Sequence, residues 1–352
     1  MNPTARVEKM RRTMEEDGLD GLILTQPENI RYFSGFSRGG LALIPVEANP
    51  IIYVYRLDYQ MALDEAVGFR VKHGRNPLKK MLRDLAGMKL RRVGFDQLTL
   101  PAYNVLNRTL KRVRVVDYDR RIHGLRAVKD EEEVSYIREA CRIASKGMEA
   151  AYEALKPGVR ECEVAAAACK AMRMEGSEED AFPIIVASGA RSAYPHGGCT
   201  RRRIRRGELV VVDLGATYMG YKSDMTRTFV AGEASDRQME AWEAVLEAYS
   251  KALKNVRDGV PAREVDLTAR HVLERRGFGR FFIHSLGHGV GLSVHERPVL
   301  SRYSRERLVR GNVVTCEPAV YIHGFGGVRL ENTVLVSEGG AEELTMFSMD
   351  LL

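Results

Sequence analysis

The sequence predicts two domains in tandem, an α/β domain followed by an α+β domain. Its 352 residues exceed what one typical core organises. Up to Leu125, short helical and strand-like patterns alternate, whereas beyond it long helical stretches are mixed with antiparallel hairpins. The change falls where Lys129-Asp130-Glu131-Glu132-Glu133 opens a long helix: acidic residues suit a helix N-terminus, and the arginines before them lie outside it. The expected domains are residues 1–125 and 126–352.

In the first domain, Pro3 to Asp17 reads as a charged amphipathic helix that stops at Gly18, and Leu22 to Leu24 as a short apolar strand. Leu41 to Ile44 and Pro50 to Tyr55 read as paired strands, and Leu57 to Ala66 and Leu78 to Leu85 as helices. Val93 to Phe95 and Val113 to Val116 are strands, with a helix from Pro101 to Leu110 between them. No group of His, Asp or Glu in this half has the pattern of a site.

The second domain opens with the helix that runs to about Leu155, then an alanine-rich helix from Arg160 to Glu175 suited to close packing. Phe182 to Gly189 is a strand entering a glycine turn, and Tyr194-Pro195-His196-Gly197 follows it. Two further helices are expected at Arg237 to Val256 and Glu264 to Arg275.

Composition narrows the function classes. The formal net charge is +7, and five arginines crowd into Arg201-Arg202-Arg203-Ile204-Arg205-Arg206. Nucleic-acid binding calls for more than one such cluster or for a binding motif, and neither is present; the cluster reads as a solvated turn that adds positive potential near a cleft. No apolar run is long enough to cross a bilayer, and the first twenty residues are charged throughout, so the expectation is a soluble protein without a signal peptide and without membrane partners. The five cysteines are odd in number and never spaced Cys-x-x-Cys. That pattern fits a reducing cytoplasm rather than a disulfide framework or a thiolate zinc site.

The chemistry lies in carboxylates set into strands. Val210 to Gly215 and Tyr221 to Thr228 are strand-like, and the reversal at Tyr218 to Gly220 folds them into a hairpin. This brings Asp213 and Asp224 within about one residue of facing each other. Downstream, Val313 to Pro318 and Val328 to Val334 are strands whose reversal centres on Gly324, which sets Glu317 opposite Glu331. Facing carboxylates in an apolar setting repel and lose hydration, a cost of several kcal/mol per charge unless a cation lies between them. His284-Ser285-Leu286-Gly287-His288-Gly289-Val290-Gly291 adds imidazoles among glycines, where backbone can approach a metal or substrate closely. Four carboxylates and an imidazole exceed the needs of one small cation and fit two divalent ions that share bridging carboxylates. An oxygen-rich set with one histidine favours Mn²⁺ or Co²⁺, with Fe²⁺ and Zn²⁺ next.

The series Asp213, Asp224, His288, Glu317, Glu331, with Gly-His-Gly-Val-Gly-Leu-x-Val-His-Glu and Gly-Gly-Val-Arg-Leu-Glu-Asn-Thr around it, resembles the metallopeptidases of the pita-bread fold. Within them it is most similar to the Xaa-Pro dipeptidases (prolidases) and aminopeptidase P. Asn29-Ile30-Arg31-Tyr32-Phe33-Ser34-Gly35-Phe36 resembles the start of the creatinase/prolidase-like N-terminal domain. The resemblance implies that Asp213 serves one metal, His288 and Glu317 the other, and that Asp224 and Glu331 bridge. It also implies substrate and proton-handling roles for His196, His284 and His295, and supporting roles for Tyr321 and Arg329. Strand alternation agrees for Arg329, which is two residues from Glu331 and shares its face. The sequence departs from the family pattern at Asn332, where aspartate is common, at Ala319, where glycine is usual, and at Lys222 before Ser223-Asp224.

The implied activity is hydrolysis of the bond before proline in a small peptide with proline second, with dipeptides preferred to longer chains. His295 or His284 would stabilise the oxyanion, and Glu317 would carry the proton to the imino nitrogen. The family resemblance also implies a homodimer in which the first domain of one subunit borders the cleft of the other. A non-catalytic pita-bread binding module or a metal-free creatinase-like hydrolase is disfavoured by the complete ligand set. Methionine aminopeptidase would not need the first domain.

Overall fold

The computed structural model describes residues 2–109, 111 and 113–351, which form two compact units, Met1–Arg126 and Ala127–Leu352. In the first unit, α1 (Pro3–Glu16) starts on Asn2, whose side chain accepts from Ala5 N at 3.0 Å, with proline at the helix start. Strand β1 (Gly21–Leu24) follows, then α2 (Pro27–Ser34), which ends at Gly35 with φ 82°. Strands β2 (Leu41–Pro45) and β3 (Ile51–Val54) pair antiparallel, as their apolar runs predict. Next come α3 (Tyr59–Glu65), β4 (Arg70–His73), α4 (Pro77–Gly87), β5 (Arg92–Phe95), α5 (Leu100–Thr109), β6 (Arg114–Asp117) and α6 (Asp119–Ala127).

The six strands form one sheet in the order β4-β3-β2-β1-β5-β6. Parallel pairs at β3–β4, β1–β5 and β5–β6 require crossovers, which the helices supply. Strand β4 and helices α2 and α6 have no counterpart in the sequence reading. None of the four residues of β4 is fully buried, so it lacks the apolar alternation that marks a strand. The first residues of the expected helix at Leu57 form a 3₁₀ turn, Arg56–Asp58, before α3 begins. The expected end of α5 at Leu110 lies outside the described residues.

The Asn29 motif is built around a buried carboxylate. Asp96, 3% exposed, accepts from Thr25 N and Oγ1, Gln26 N, Gln97 N and, at 3.0 Å, Asn29 Nδ2. Asn29 Oδ1 in turn accepts from Arg126 Nη1 at 2.7 Å. These bonds join the ends of β1 and β5 to α2 and α6.

In the second unit, α7 (Glu131–Ala154) begins with a capping box between Asp130 and Glu133, so the acidic run does what a helix N-terminus favours. It packs on α8 (Glu161–Met174). Strands β7 (Ile185–Ser188), β8 (Leu209–Leu214), β9 (Thr217–Tyr218), β10 (Tyr221–Lys222) and β11 (Met225–Val230) follow, then α9 (Asp236–Leu253) and α10 (Ala262–Arg275). The chain closes with β12 (Gly287–Gly289), β13 (Glu296–Leu300), β14 (Val313–Cys316), β15 (Ala319–Ile322), β16 (Gly326–Arg329), β17 (Asn332–Ser337) and β18 (Gly340–Glu343). One sheet has the order β11-β8-β7 and another β13-β12-β14-β17-β18, with short ladders β9–β10 and β15–β16. Alanine and valine side chains of α7 and α8 cover the first sheet through Val186, Val210 and Val212. Those of α9 and α10 pack on Val314, Val320 and Val334 of the other strands.

Two hairpins position the site. Strands β8 and β11 pair Asp213 with Thr226, and the ladder continues in the same register through β9 and β10. The reversal is Met219-Gly220, both at positive φ, the two-residue turn that matches strand twist. Asp224 is therefore offset two residues from the position facing Asp213, not one. An offset of two keeps both carboxylates on one face; an offset of one would have separated them. The second hairpin has one register on both sides of a break: β14 with β17 and β15 with β16, centred on Gly324. That register sets Glu317 level with Glu331, as the sequence predicts. Each of these two expected strands is interrupted beside its carboxylate, because Pro318 has no N–H for the ladder.

Candidate metal centre

The two hairpins lie side by side. Glu331 N donates to Thr226 O at 3.1 Å, and Arg329 N donates to Thr228 Oγ1 at 2.9 Å. The five expected metal ligands converge where they meet. His288 Nε2 lies 3.3 Å from Glu317 Oε1 and 3.8 Å from Asp224 Oδ2. One ligand atom each from Asp224, His288 and Glu331 lie within 4.8 Å of one another.

His288 Nδ1 faces Gly289 O at 3.1 Å. A proton held there leaves the Nε2 lone pair for a cation. The glycines beside His288 serve a different purpose from the one expected. A Cβ at Gly287 would lie 2.1 Å from Thr315 O, and one at Gly289 would lie 2.2 Å from Arg297 O. The glycines let β12 fit between β13 and β14 rather than opening space for metal or substrate.

The electrostatics fit divalent cations. Burial, followed by the charges of Glu331, Asp213 and Glu317, pushes Asp224 well above the usual carboxylate range. Burial, with Glu317 and Asp213 next, raises Glu331 to about 8. Burial also raises Asp213, although Arg329 Nη2 donates to its Oδ2 at 2.5 Å and opposes that shift. Burial would raise Glu317 too, but the hydrogen bond and charge of His288 outweigh it and hold Glu317 at about 2. Such a group is relieved by positive charge between its members. Asp213 Oδ1 is buried without a hydrogen-bond partner, as a group waiting for a cation would be. The residues present therefore suit a metal.

Arg329 joins the parts. Besides Asp213, it donates from Nη1 to Tyr321 Oη at 2.6 Å and from Nε to Thr226 Oγ1 at 3.0 Å. Thr226 Oγ1 in turn donates to Glu331 Oε2 at 2.6 Å. Strand alternation thus sets Arg329 and Glu331 against the same threonine. Tyr321 Oη also meets His284 Nε2 at 3.1 Å, and His284 Nδ1 meets Ser285 O at 2.7 Å. Both nitrogens of His284 are engaged, and burial lowers its pKa. His295 is exposed, with its ring centroid 4.2 Å from that of His288. His196 is exposed on the loop between β7 and β8, and Pro195 O beside it lies 3.5 Å from Arg329 Nη1.

Three buried threonines escaped the sequence reading. Thr226 donates to Glu331, Thr315 Oγ1 donates to Glu317 Oε1 at 3.2 Å, and Thr333 Oγ1 donates to Asp224 O at 2.7 Å. Thr226 is two residues from Asp224, Thr315 two from Glu317 and Thr333 two from Glu331. The period of a strand was the signal that would have found them. The departures from the family pattern also have places. Asn332 Oδ1 accepts from buried Arg227 at 2.9 Å, while its Nδ2 donates to Tyr249 Oη at 3.0 Å. Lys222 pairs with Glu179 at 3.3 Å, and Ala319 is fully buried.

A carboxylate-rich centre on paired hairpins defines a metal-dependent hydrolase, and the chain belongs to metallopeptidase family M24, which matches residues 135–338. The creatinase/prolidase N-terminal domain matches residues 6–128. The chain is 41% identical to the Xaa-Pro dipeptidase of Pyrococcus furiosus over 352 residues, 99% of each chain. The prolidase structure from Pyrococcus horikoshii superimposes with a TM-score of 0.95 at 38% identity, covering 99% of this chain and 100% of that one. The X-Pro aminopeptidase structure from Thermotoga maritima gives a TM-score of 0.91 at 32% identity, covering 98% of both. The pita-bread catalytic fold and the divalent-metal dependence expected from the sequence are those of this family. No helix among the described residues is long and apolar enough to cross a membrane.

Proposed function

We propose that this metallopeptidase hydrolyses Xaa-Pro dipeptides with two divalent ions, Mn²⁺ or Co²⁺ by ligand chemistry. In this reading Asp213 would help to hold one ion, His288 and Glu317 the other, and Asp224 and Glu331 would contribute to both. The observation that carries it is the buried carboxylate cluster, with Asp213 Oδ1 unpartnered and Glu331 raised to about 8. The ions supply Lewis-acid polarisation of the scissile carbonyl and lower the pKa of water.

The chain's own residues do the rest. Glu317 accepts a proton and delivers it to the leaving proline nitrogen. That nitrogen belongs to a tertiary amide without an N–H, so it must gain a proton before it departs. His295 donates to the developing oxyanion, because both nitrogens of His284 are already engaged. His196 receives the substrate carboxylate at the rim, while Arg329 and Tyr321 hold Asp213 in place. The five free cysteines support a reducing, cytoplasmic setting, and the family supports a homodimer, which light scattering of active protein tests.

The likeness to an X-Pro aminopeptidase supports a second reading, release of the first residue from longer Xaa-Pro peptides. Comparing Leu-Pro with Leu-Pro-amide and a Leu-Pro tripeptide separates the two. Loss of a charge-assisted hydrogen bond to the free carboxylate, roughly 1.5–3 kcal/mol, should lower kcat/KM at least about tenfold. Equal cleavage of all three establishes the aminopeptidase reading instead.

A further inference from the structure

The loop between β7 and β8 carries His196 at the rim, and a single buried carboxylate holds that loop at its beginning and in its middle. Glu161, in the first turn of α8, has a fully buried side chain. Its Oε1 accepts from Ser188 N at 2.9 Å and Ser188 Oγ at 2.8 Å. Its Oε2 accepts from Arg191 Nη1 at 2.5 Å, Thr200 N at 3.0 Å and Thr200 Oγ1 at 2.6 Å. Arg191 extends the link: its Nη2 donates at 2.5 Å to the carbonyl of Gly197, the residue after His196.

The opposite side of the loop is also fixed. Ser192 Oγ accepts from Gly327 N at 2.9 Å, and a Cβ at Gly327 would lie 2.2 Å from Ser192 O. Of the arginine cluster, Arg202 takes part as well, while Arg201, Arg203, Arg205 and Arg206 are exposed, as expected of a solvated turn. Arg202 Nη1 donates to Ser188 Oγ at 2.6 Å, and its two terminal nitrogens meet both oxygens of Glu208 at 2.7 and 2.5 Å. Arg203 donates to Gly158 O at 2.7 Å, and Arg206 pairs with Glu233 at 3.3 Å.

A buried carboxylate with five donors is a costly way to hold a loop if only stability is needed, since apolar packing does as much. It does fix directions, because each donor must arrive at a set angle. We propose that Glu161 and Arg191 are positioning residues that set His196 for the substrate's terminal carboxylate. This rests on the reading above, in which His196 binds substrate. A loop ordered beforehand spares the substrate the cost of ordering it, so the effect belongs in KM.

The test is a double-mutant cycle on kcat and KM for Leu-Pro, with wild type, Arg191→Met, His196→Ala and the double variant at matched metal content. Thermal unfolding is followed alongside. Arg191→Met and His196→Ala are each expected to raise KM about tenfold with kcat nearly unchanged, as for lost uniform binding through one charge-assisted bond. The double variant is expected to be no worse than His196→Ala, because the link then has nothing to position. Glu161→Gln should act in the same direction as Arg191→Met. Should Arg191→Met not fold, Arg191→Lys replaces it, since an ammonium cannot present the guanidinium fork to both Glu161 and Gly197. An unchanged KM in the arginine variants, or effects that multiply in the double variant, overturns the proposal and leaves a structural role. An unchanged KM in His196→Ala with an active wild type overturns it at the histidine. A metal-loaded wild type inactive on Leu-Pro fails the Xaa-Pro reading itself.

Discussion

Asp96 in the first unit and Asp213 in the second are both buried aspartates near strand ends, yet their surroundings are opposite. Asp96 is met by donors from Thr25, Gln26, Asn29 and Gln97. Asp213 has Arg329 on one oxygen and nothing on the other, and it shares its pocket with Asp224, Glu317 and Glu331. The first arrangement is complete as it stands. The second is complete only with added positive charge. Burial of a carboxylate thus does not mark a functional site; an unmet demand for charge does.

The strongest way to break this comparison is to remove a carboxylate from each region. Asp224→Ala or Glu331→Ala is expected to abolish hydrolysis and lower the metal content per chain, measured by elemental analysis. Full turnover by either variant would end the two-metal reading. A smaller effect is expected from Thr226→Val, which removes the hydroxyl between Arg329 and Glu331. Loss of such support should weaken metal affinity about 10–100-fold, with Thr226→Ser near wild type, as read by chelator competition. Should valine and serine bind metal alike, the hydroxyl has no such role.

Asp96→Asn should leave activity per bound metal unchanged while destabilising the first unit by about 1–3 kcal/mol, because an amide cannot accept all the donors it faces. Denaturant unfolding checks this, and a loss of metal affinity would contradict the division of roles. The gentlest probe is pH. In the metal-free protein Glu331 titrates at about 8 against a usual 4.5, so between those values the folded chain holds a proton that the unfolded chain has released. Stability of the metal-free form should therefore fall as pH rises through this window, and metal uptake near neutral pH should release protons. Melting curves of chelator-treated protein from acid to alkaline pH test the sign; rising stability would refute it.

The ligand-bearing strands were legible because their signals are local. Asp213 in a valine run, Glu317 before proline and Glu331 after a glycine turn each interrupt an apolar pattern, and Gly324 set the second hairpin's register correctly. The first hairpin's offset differs by one residue from the expected one because its turn is the two-residue Met219-Gly220, with the non-glycine Met219 also at positive φ. Strand β4 stayed hidden because no residue in it is fully buried.

By itself, the sequence determined the two-part organisation, most helices and the identity of the candidate ligands, since hydrophobic period, helix caps and turn residues act over a few positions. Tertiary structure decided which groups finish the site. Thr226 reaches the Glu331 carboxylate across hairpins, Arg329 reaches Asp213 across 116 positions, and Glu161 reaches Thr200 across 39. Glu161 in particular is the first residue of an ordinary helix, beside the Arg160 cap. Its hub forms only when β7 and the loop after it fold back onto α8, because a hydrogen bond depends on separation in space and not along the chain.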